Sequence, residues 1–208
     1  MRFLIADDHA IVRKGLAQLL REEFSSAEIT EVANSNEVLM AVNESKWDVI
    51  LIDISMPGRN GIETLKQIRG NGVSVPVLVL SMHPEDQYAV RVLKAGASGF
   101  LNKESAPEEL LIAVHKVLSG RKYISSSVAE KLAESMDERG EKPVHELLSD
   151  REMQVLQRIA AGKTVSEIAE EISLSVNTIS TYRTRVLEKL NLKNSAELTR
   201  YAFDNNLV

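Results

Sequence analysis

The chain has 208 residues, of which 44% are hydrophobic and 26% charged, and it contains no cysteine. That length holds one large domain or two modest ones, the composition excludes a wholly disordered chain, and the lack of cysteine excludes a disulfide framework, thiolate metal sites and a cysteine nucleophile. The net charge of −5 does not mark a nucleic-acid binder, and it divides as −2 over residues 1–124, −3 over 125–148 and 0 over 149–208, so any case for DNA binding rests on individual helices.

The chain opens Met1-Arg2-Phe3-Leu4-Ile5-Ala6-Asp7-Asp8. The apolar run is too short for a signal peptide, and a membrane-crossing helix needs about 20 apolar residues, so the expected location is the cytoplasm, with no membrane partner. Short apolar runs at Phe3–Ala6, Val49–Ile52, Val77–Leu80 and Gly99–Leu101, with a weaker one at Glu28–Val32, read as strands. Continuous apolar runs suit parallel strands buried on both faces. Between and after them lie amphipathic stretches at Ala10–Phe24, Glu37–Glu44, Gly61–Gly70, Asp86–Ala95 and Pro107–Leu118. Five βα units over residues 1–124 predict an α/β doubly wound parallel five-stranded sheet. Ser126–Met136 reads as a further helix, and Asp137–Pro143 as a flexible linker, since it is charged and holds Gly and Pro without apolar periodicity. Residues 125–147 are therefore expected to be helix and linker. A second, all-α domain of four short helices is expected over 148–208, at about 150–161, 165–171, 176–190 and 195–205. Its first helix is announced by Ser149 with Glu152 three residues on.

In an open α/β sheet, ligands bind beyond the carboxyl ends of the strands, where strand order reverses. Asp7 and Asp8 follow the first strand, Asp53 the third and Ser81 the fourth, and Lys103 follows the fifth. Three gathered carboxylates repel one another unless neutralised. A hard divalent cation such as Mg²⁺ is the natural partner, held by one or two carboxylates with waters and substrate phosphate oxygens. A carboxylate can act as nucleophile and become an aspartyl-phosphate, while a lysine neutralises a phosphoryl oxygen. Taken singly, each residue is an ordinary strand-end acid, cap or surface charge; the joint pattern carries the reading. The four histidines have no metal-ligand spacing.

Asp7-Asp8, Asp53-Ile54-Ser55-Met56-Pro57-Gly58, Ser81 and Lys103 together resemble the signature of response-regulator receiver domains. The resemblance implies a flavodoxin-like sheet of order 2-1-3-4-5. It makes Asp53 the acceptor of phosphate from a sensor histidine kinase. It implies a Mg²⁺ site formed by Asp8, Asp53 and the Ser55 carbonyl, with Asp7 acting through the water shell. It also makes Ser81 and Phe100 a switch pair. This sequence has Ser81 where many receivers have Thr, Phe100 where many have Tyr, and Glu104 where Pro often follows the lysine. An aspartyl-phosphate phosphohydrolase would share the acid cluster, but such enzymes need a second acid two residues after the nucleophile. That position is Ser55, so no enzymatic turnover is expected.

In the second domain, Thr164–Glu171 reads as a short helix capped by Thr164, followed by the turn Ser173-Leu174-Ser175 and the helix Val176–Leu190. Helix, short turn, helix is the geometry in which the second helix enters the major groove of DNA. At about 100° per residue, Ile179, Val186, Leu187 and Leu190 share one face, and Asn177, Ser180, Thr181, Thr184 and Glu188 the opposite one. Asn pairs with adenine, Ser and Thr contact several base edges or the thymine methyl, and flanking Arg and Lys suit phosphates. The expected DNA contacts are Lys163, Thr164, Asn177, Ser180, Thr181, Tyr182, Arg183, Thr184, Arg185 and Lys189.

The segments Leu148-Ser149-Asp150-Arg151-Glu152, Glu167-Ile168-Ala169, Ser175-Val176-Asn177-Thr178-Ile179 and Leu187-Glu188-Lys189-Leu190 resemble the LuxR-type helix-turn-helix. With the receiver signature, nearly the whole chain is similar to the NarL/FixJ group of two-component response regulators. The lysine common at the position of Ser180 is absent. The partners implied are double-stranded DNA, a sensor histidine kinase, a second copy of the chain on phosphorylation (through the last helix) and, as a candidate, RNA polymerase. The expected function is DNA binding and transcription control switched by phosphorylation of Asp53. A phosphorylation-independent DNA binder and a protein-binding adaptor are the competing readings.

Overall fold

Four strands are near-continuous apolar runs: β1 (Arg2–Ala6), β3 (Val49–Asp53) and β4 (Val77–Ser81), which fill the middle of a sheet, and β5 (Gly99–Asn102) at one edge. β2 (Glu28–Val32) has only exposed and half-buried residues and lies at the other edge. All pairings are parallel and the order is β2-β1-β3-β4-β5. The computed structural model describes residues 1–82, 85–136, 143–205 and 207–208. Parallel neighbours need crossovers, supplied by α1 (Ala10–Glu23), α2 (Ser35–Glu44), α3 (Gly61–Gly70) and α4 (Glu85–Lys94); α5 (Ala106–Leu118) follows the last strand. Because β1 lies between β2 and β3, chain direction across the sheet reverses there, and a crevice opens at the carboxyl ends of β1 and β3.

The period-2 alternation of the strands divides their apolar residues between two cores. Leu4, Ile50, Ile52, Val79 and Phe100 face one cluster, which also takes Ile62 and Leu65 of α3 and Tyr88 of α4. Phe3, Ile5, Leu51, Leu80 and Leu101 face the other, with Leu16 and Leu20 of α1 and Leu110 and Val114 of α5. α6 (Ser126–Met136) adds Val128 to the first cluster. The only tryptophan, Trp47, packs beside that cluster. Its Nε1 donates to the Ala41 carbonyl at 3.0 Å, and the Arg2 guanidinium lies 5.0 Å from its ring.

Helix starts are fixed by local chemistry. Asn34 accepts from Glu37 N at 3.0 Å, so α2 begins at Ser35, two residues before its apolar pattern becomes legible; such a cap contributes about 1 kcal/mol. Asn60 and Glu63 form a reciprocal capping box on α3. At the opposite end of α3, Arg69 reaches three main-chain carbonyls. Its Nε donates to Gly96 (3.0 Å), Nη1 to Val73 (2.8 Å) and Nη2 to Val75 (2.9 Å). This joins the α3–β4 loop to the turn that follows α4.

The chain divides into two compact units, Met1–Asp137 and Glu138–Val208. The second begins with a 3-10 turn at Val144–Leu147, within the segment expected to be linker. The turn is held because His145 Nδ1 lies 3.1 Å from the Tyr201 hydroxyl and their rings meet edge-on. Most of the expected linker, residues 137–142, lies outside the described residues. α7 (Asp150–Ala160), α8 (Val165–Glu171), α9 (Val176–Leu190) and α10 (Ser195–Asp204) pack around Leu156, Ile168, Ile179, Val186, Leu198 and Ala202. Among the described residues, no helix is long and apolar enough to cross a membrane.

Candidate functional site: an acidic crevice and a helix-turn-helix

The ends of β1, β3, β4 and β5 bring the expected polar residues to one edge. Asp53, the last residue of β3, is 1% exposed, and Asp7, just beyond β1, is fully buried. Lys103 follows β5, and its ammonium lies between the two acids, 2.7 Å from Asp7 Oδ2 and 3.0 Å from Asp53 Oδ2. One cation thus faces two buried carboxylates. The Asp53 carboxylate oxygens are buried, and the Ser55 main chain also lies against the group. Burial raises the Asp53 carboxyl from its usual 3.8 to about 6; Lys103 pulls it down and the Asp7 charge pushes it up again. Asp8 is exposed. Asp7, Asp8, His9 and Asp53 each offer a ligand atom, and these atoms lie within 4.8 Å of one another. Three carboxylates gathered this closely are compatible with a hard divalent cation.

His9, next to the acids in sequence, joins this site. Its Nδ1 is 2.8 Å from Asp8 Oδ1 and 3.2 Å from Asp7 Oδ1, and its main-chain N donates to Asp7 Oδ1 at 2.8 Å. Arg13, one turn into α1, donates to the Asp7 carbonyl. Gly61 was missed as part of the site. A Cβ there would stand 2.2 Å from the Asp53 carbonyl oxygen, so the first turn of α3 presses directly on the main chain of that residue. Ser81 ends β4 fully buried, with its carbonyl accepting from Lys103 N at 2.8 Å. Phe100, 3% exposed, lies inside the first core with Ile54, Met56 and Tyr88. Ser55 is half-buried in the turn after β3.

In the second unit, Thr164 and Glu167 cap α8 reciprocally. The turn between α8 and α9 passes through Ser173 at φ +53°, a left-handed conformation that costs a residue with a Cβ about 1–2 kcal/mol. Ser175 then caps α9, accepting from Thr178 N at 3.1 Å. Ile179, Val186 and Leu190 are buried, while Asn177, Ser180, Thr181, Thr184, Arg185 and Glu188 are exposed on the other side. Several expected cations are engaged inside the unit. Lys189 Nζ lies 2.6 Å from Glu152 Oε2 and 3.3 Å from the Leu147 carbonyl. Lys163 pairs with Glu171, and Arg183 Nε donates to Ser195 Oγ at 2.8 Å. Tyr182 packs against the core of the unit. Arg185 is the exposed cation of α9 without an ion-pair partner among the described residues. Burial opposes ionisation of Glu152, but hydrogen bonds from Lys189 and Ser149 outweigh it and hold the carboxyl below its usual range.

A five-stranded parallel sheet of this order with an acidic crevice at its switch point, and a separate helix-turn-helix unit, define a receiver joined to a DNA-binding module. Residues 3–115 match the response regulator receiver domain, and residues 146–202 match the bacterial regulatory proteins of the luxR family. The chain belongs to the two-component response regulators that carry a LuxR-type DNA-binding domain, a family of transcription regulators. It is 35% identical to the response regulator UvrY of Escherichia coli (strain K12) over 98% of this chain and 94% of that one. It is 32% identical to the response regulator GacA of Pseudomonas viridiflava over 100% of this chain and 98% of that one. Among solved structures, the Salmonella typhimurium RcsB response regulator superposes with a TM-score of 0.61 at 30% identity, over 97% of this chain and 98% of that one. An RcsB–DNA complex gives 0.57 at 30% identity, over 97% and 96%.

Proposed function

We propose that Asp53 is the phosphoacceptor of this regulator and that its phosphorylation controls binding of α9 to DNA. The observation that carries this reading is the Asp53 carboxylate, buried between Lys103 and two further acids. With the carboxyl at about 6, most Asp53 is ionised at neutral pH and able to attack. An Asp53 carboxylate oxygen forms the bond to phosphorus as the N–P bond of a phosphohistidine on a sensor kinase breaks, and the imidazole leaves with the electron pair. Asp7, Asp8, Asp53 and the Ser55 carbonyl would hold Mg²⁺, which offsets charge on the transferring phosphoryl group. Lys103 holds a phosphoryl oxygen after transfer, and the Ser81 hydroxyl and Phe100 ring carry the change toward α4 and β5. The chain acts as a cytoplasmic regulator and not as a turnover enzyme. Double-stranded DNA and a second phosphorylated copy are its partners, as supported by the DNA-bound RcsB structures, one of which holds two RcsB dimers on two DNAs.

Of the expected DNA contacts, Asn177, Ser180, Thr181, Thr184 and Arg185 are the exposed set that supports base and phosphate contact directly. Thr164 and Lys163 stand at the start of α8, where phosphates are favoured. Tyr182, Arg183 and Lys189 position α9 from its flanks. The test is DNA binding at one fixed salt concentration on genomic fragments, with and without Mg²⁺ and beryllofluoride, using wild type and Asp53→Ala. Strengthening by beryllofluoride in wild type alone is the expected outcome; equal binding by both proteins in all conditions would remove Asp53 from control of DNA affinity.

A further inference from the structure

The small polar residues on the exposed face of α9 are of two kinds. The side chains of Asn177 and Ser180 make no hydrogen bond among the described residues. The two threonines are tied back to the helix: Thr181 Oγ1 donates to the Asn177 carbonyl at 2.9 Å, and Thr184 Oγ1 to the Ser180 carbonyl at 3.0 Å. A hydroxyl has one proton. Given to the main chain, it is not available to a base. What each threonine then offers outward is its γ-methyl, beside hydroxyl lone pairs. Thr181 and Thr184 are both exposed and one turn apart, a rise of about 4.5 Å, close to the base-pair spacing of about 3.4 Å. In the major groove the methyl of thymine is the one apolar group that distinguishes a base.

We propose that Thr181 and Thr184 select thymine at two neighbouring positions through methyl–methyl contact, while Asn177 and Ser180 supply the hydrogen bonds to base edges. This rests on the reading of α9 as the DNA-recognition helix. It assigns specificity to the middle of α9 in a chain that has Ser180 where its family commonly has lysine.

The test uses the full chain with Mg²⁺ and beryllofluoride at one salt concentration. Duplexes with a random core are selected for binding, and the enriched sequence is remade with deoxyuridine at each thymine in turn, which removes only the methyl. Wild type, Thr181→Ser, Thr181→Val, Thr184→Ser and Thr184→Val are titrated against each duplex. Two uracil positions should each weaken wild-type binding by about fourfold, the worth of one buried methyl. Each Thr→Ser variant should lose a similar factor and become indifferent to one of those uracils, and each Thr→Val variant, which keeps the methyl, should keep the discrimination of thymine against uracil at both positions. Valine variants that lose that discrimination, or an enriched site that no uracil weakens, overturn the proposal and leave the DNA reading of α9 standing. A library that yields no enriched sequence overturns both.

Discussion

Replacing Asp53 by asparagine should make the first unit more stable. The carboxyl is held at about 6 against 3.8 unperturbed, chiefly by burial. A difference of about two pH units, at about 1.4 kcal/mol each, amounts to about 3 kcal/mol. The raised folded value fixes the sign: the native state binds the proton more tightly, so the penalty is absent below about pH 4. It grows as pH rises to about 6 and is constant above. Asn has nearly the same shape and no charge, so Asp53→Asn should gain up to about 3 kcal/mol at pH 7.5 in chelator, a rise of roughly 10 °C in midpoint, and almost nothing at pH 4. Mg²⁺ should close the gap by stabilising wild type more than the variant. Trp47, the only tryptophan, lies in the first unit, so its fluorescence follows that unit through urea or thermal unfolding. Equal stability of the two proteins at pH 7.5, or the same gain at pH 4 as at pH 7.5, would refute the argument that burial of an ionised Asp53 is costly.

Gly61→Ala drives a methyl into the Asp53 carbonyl at 2.2 Å; a loss of about 1–3 kcal/mol and slower phosphorylation by a small-molecule phosphodonor are expected, checked by Trp47 unfolding and phosphoprotein gels. Lys103→Ala leaves Asp7 and Asp53 uncompensated, so the first unit should lose about 3–5 kcal/mol at pH 8. The loss should shrink at pH 4, where Asp53, held at about 6, is protonated, and chelator-free unfolding at the two pH values tests it. Glu152→Gln removes a carboxyl whose ionised form is favoured, and such stability exists above the unfolded value and disappears as pH falls through the folded one. Amide exchange in α7 and α9 should therefore quicken at pH 7, by about 1–3 kcal/mol of protection, and much less at pH 3. Ser173→Gly relieves a left-handed serine and should stabilise the second unit by about 1 kcal/mol, read by the same exchange measurement.

The sheet was legible because its central strands are buried on both faces and therefore spelled in unbroken apolar letters: Val49–Ile52 and Val77–Leu80 admit little else. β2 was faint because none of its five residues is fully buried and two of them are glutamates. The crevice was legible from order along the chain, since strand ends in this topology converge, Asp53 is the last residue of one strand, and Asp7 and Lys103 each stand one residue beyond another. What stayed hidden depended on contact across sequence. The pressure of Gly61 on Asp53 is set by how α3 packs, not by any local pattern. The 3-10 turn at Val144–Leu147 exists because His145 meets Tyr201, 56 residues away. The engagement of Lys189 by Glu152 could not be read from the periodicity of α9, which gives the face a residue occupies and not the neighbour it finds there.

Arg69 gives the first unit one stiff end. By gathering the carbonyls of Val73, Val75 and Gly96, it nails the trailing end of α4 to the floor of the sheet, opposite the acidic crevice. Val73 and Val75 lie in the stretch that leads into β4, and Gly96 in the turn that leads into β5, so one side chain ties together the entries of the two strands whose far ends carry Ser81 and Lys103. The guanidinium thus braces the crevice from the opposite edge of the sheet, far from any group that touches phosphate.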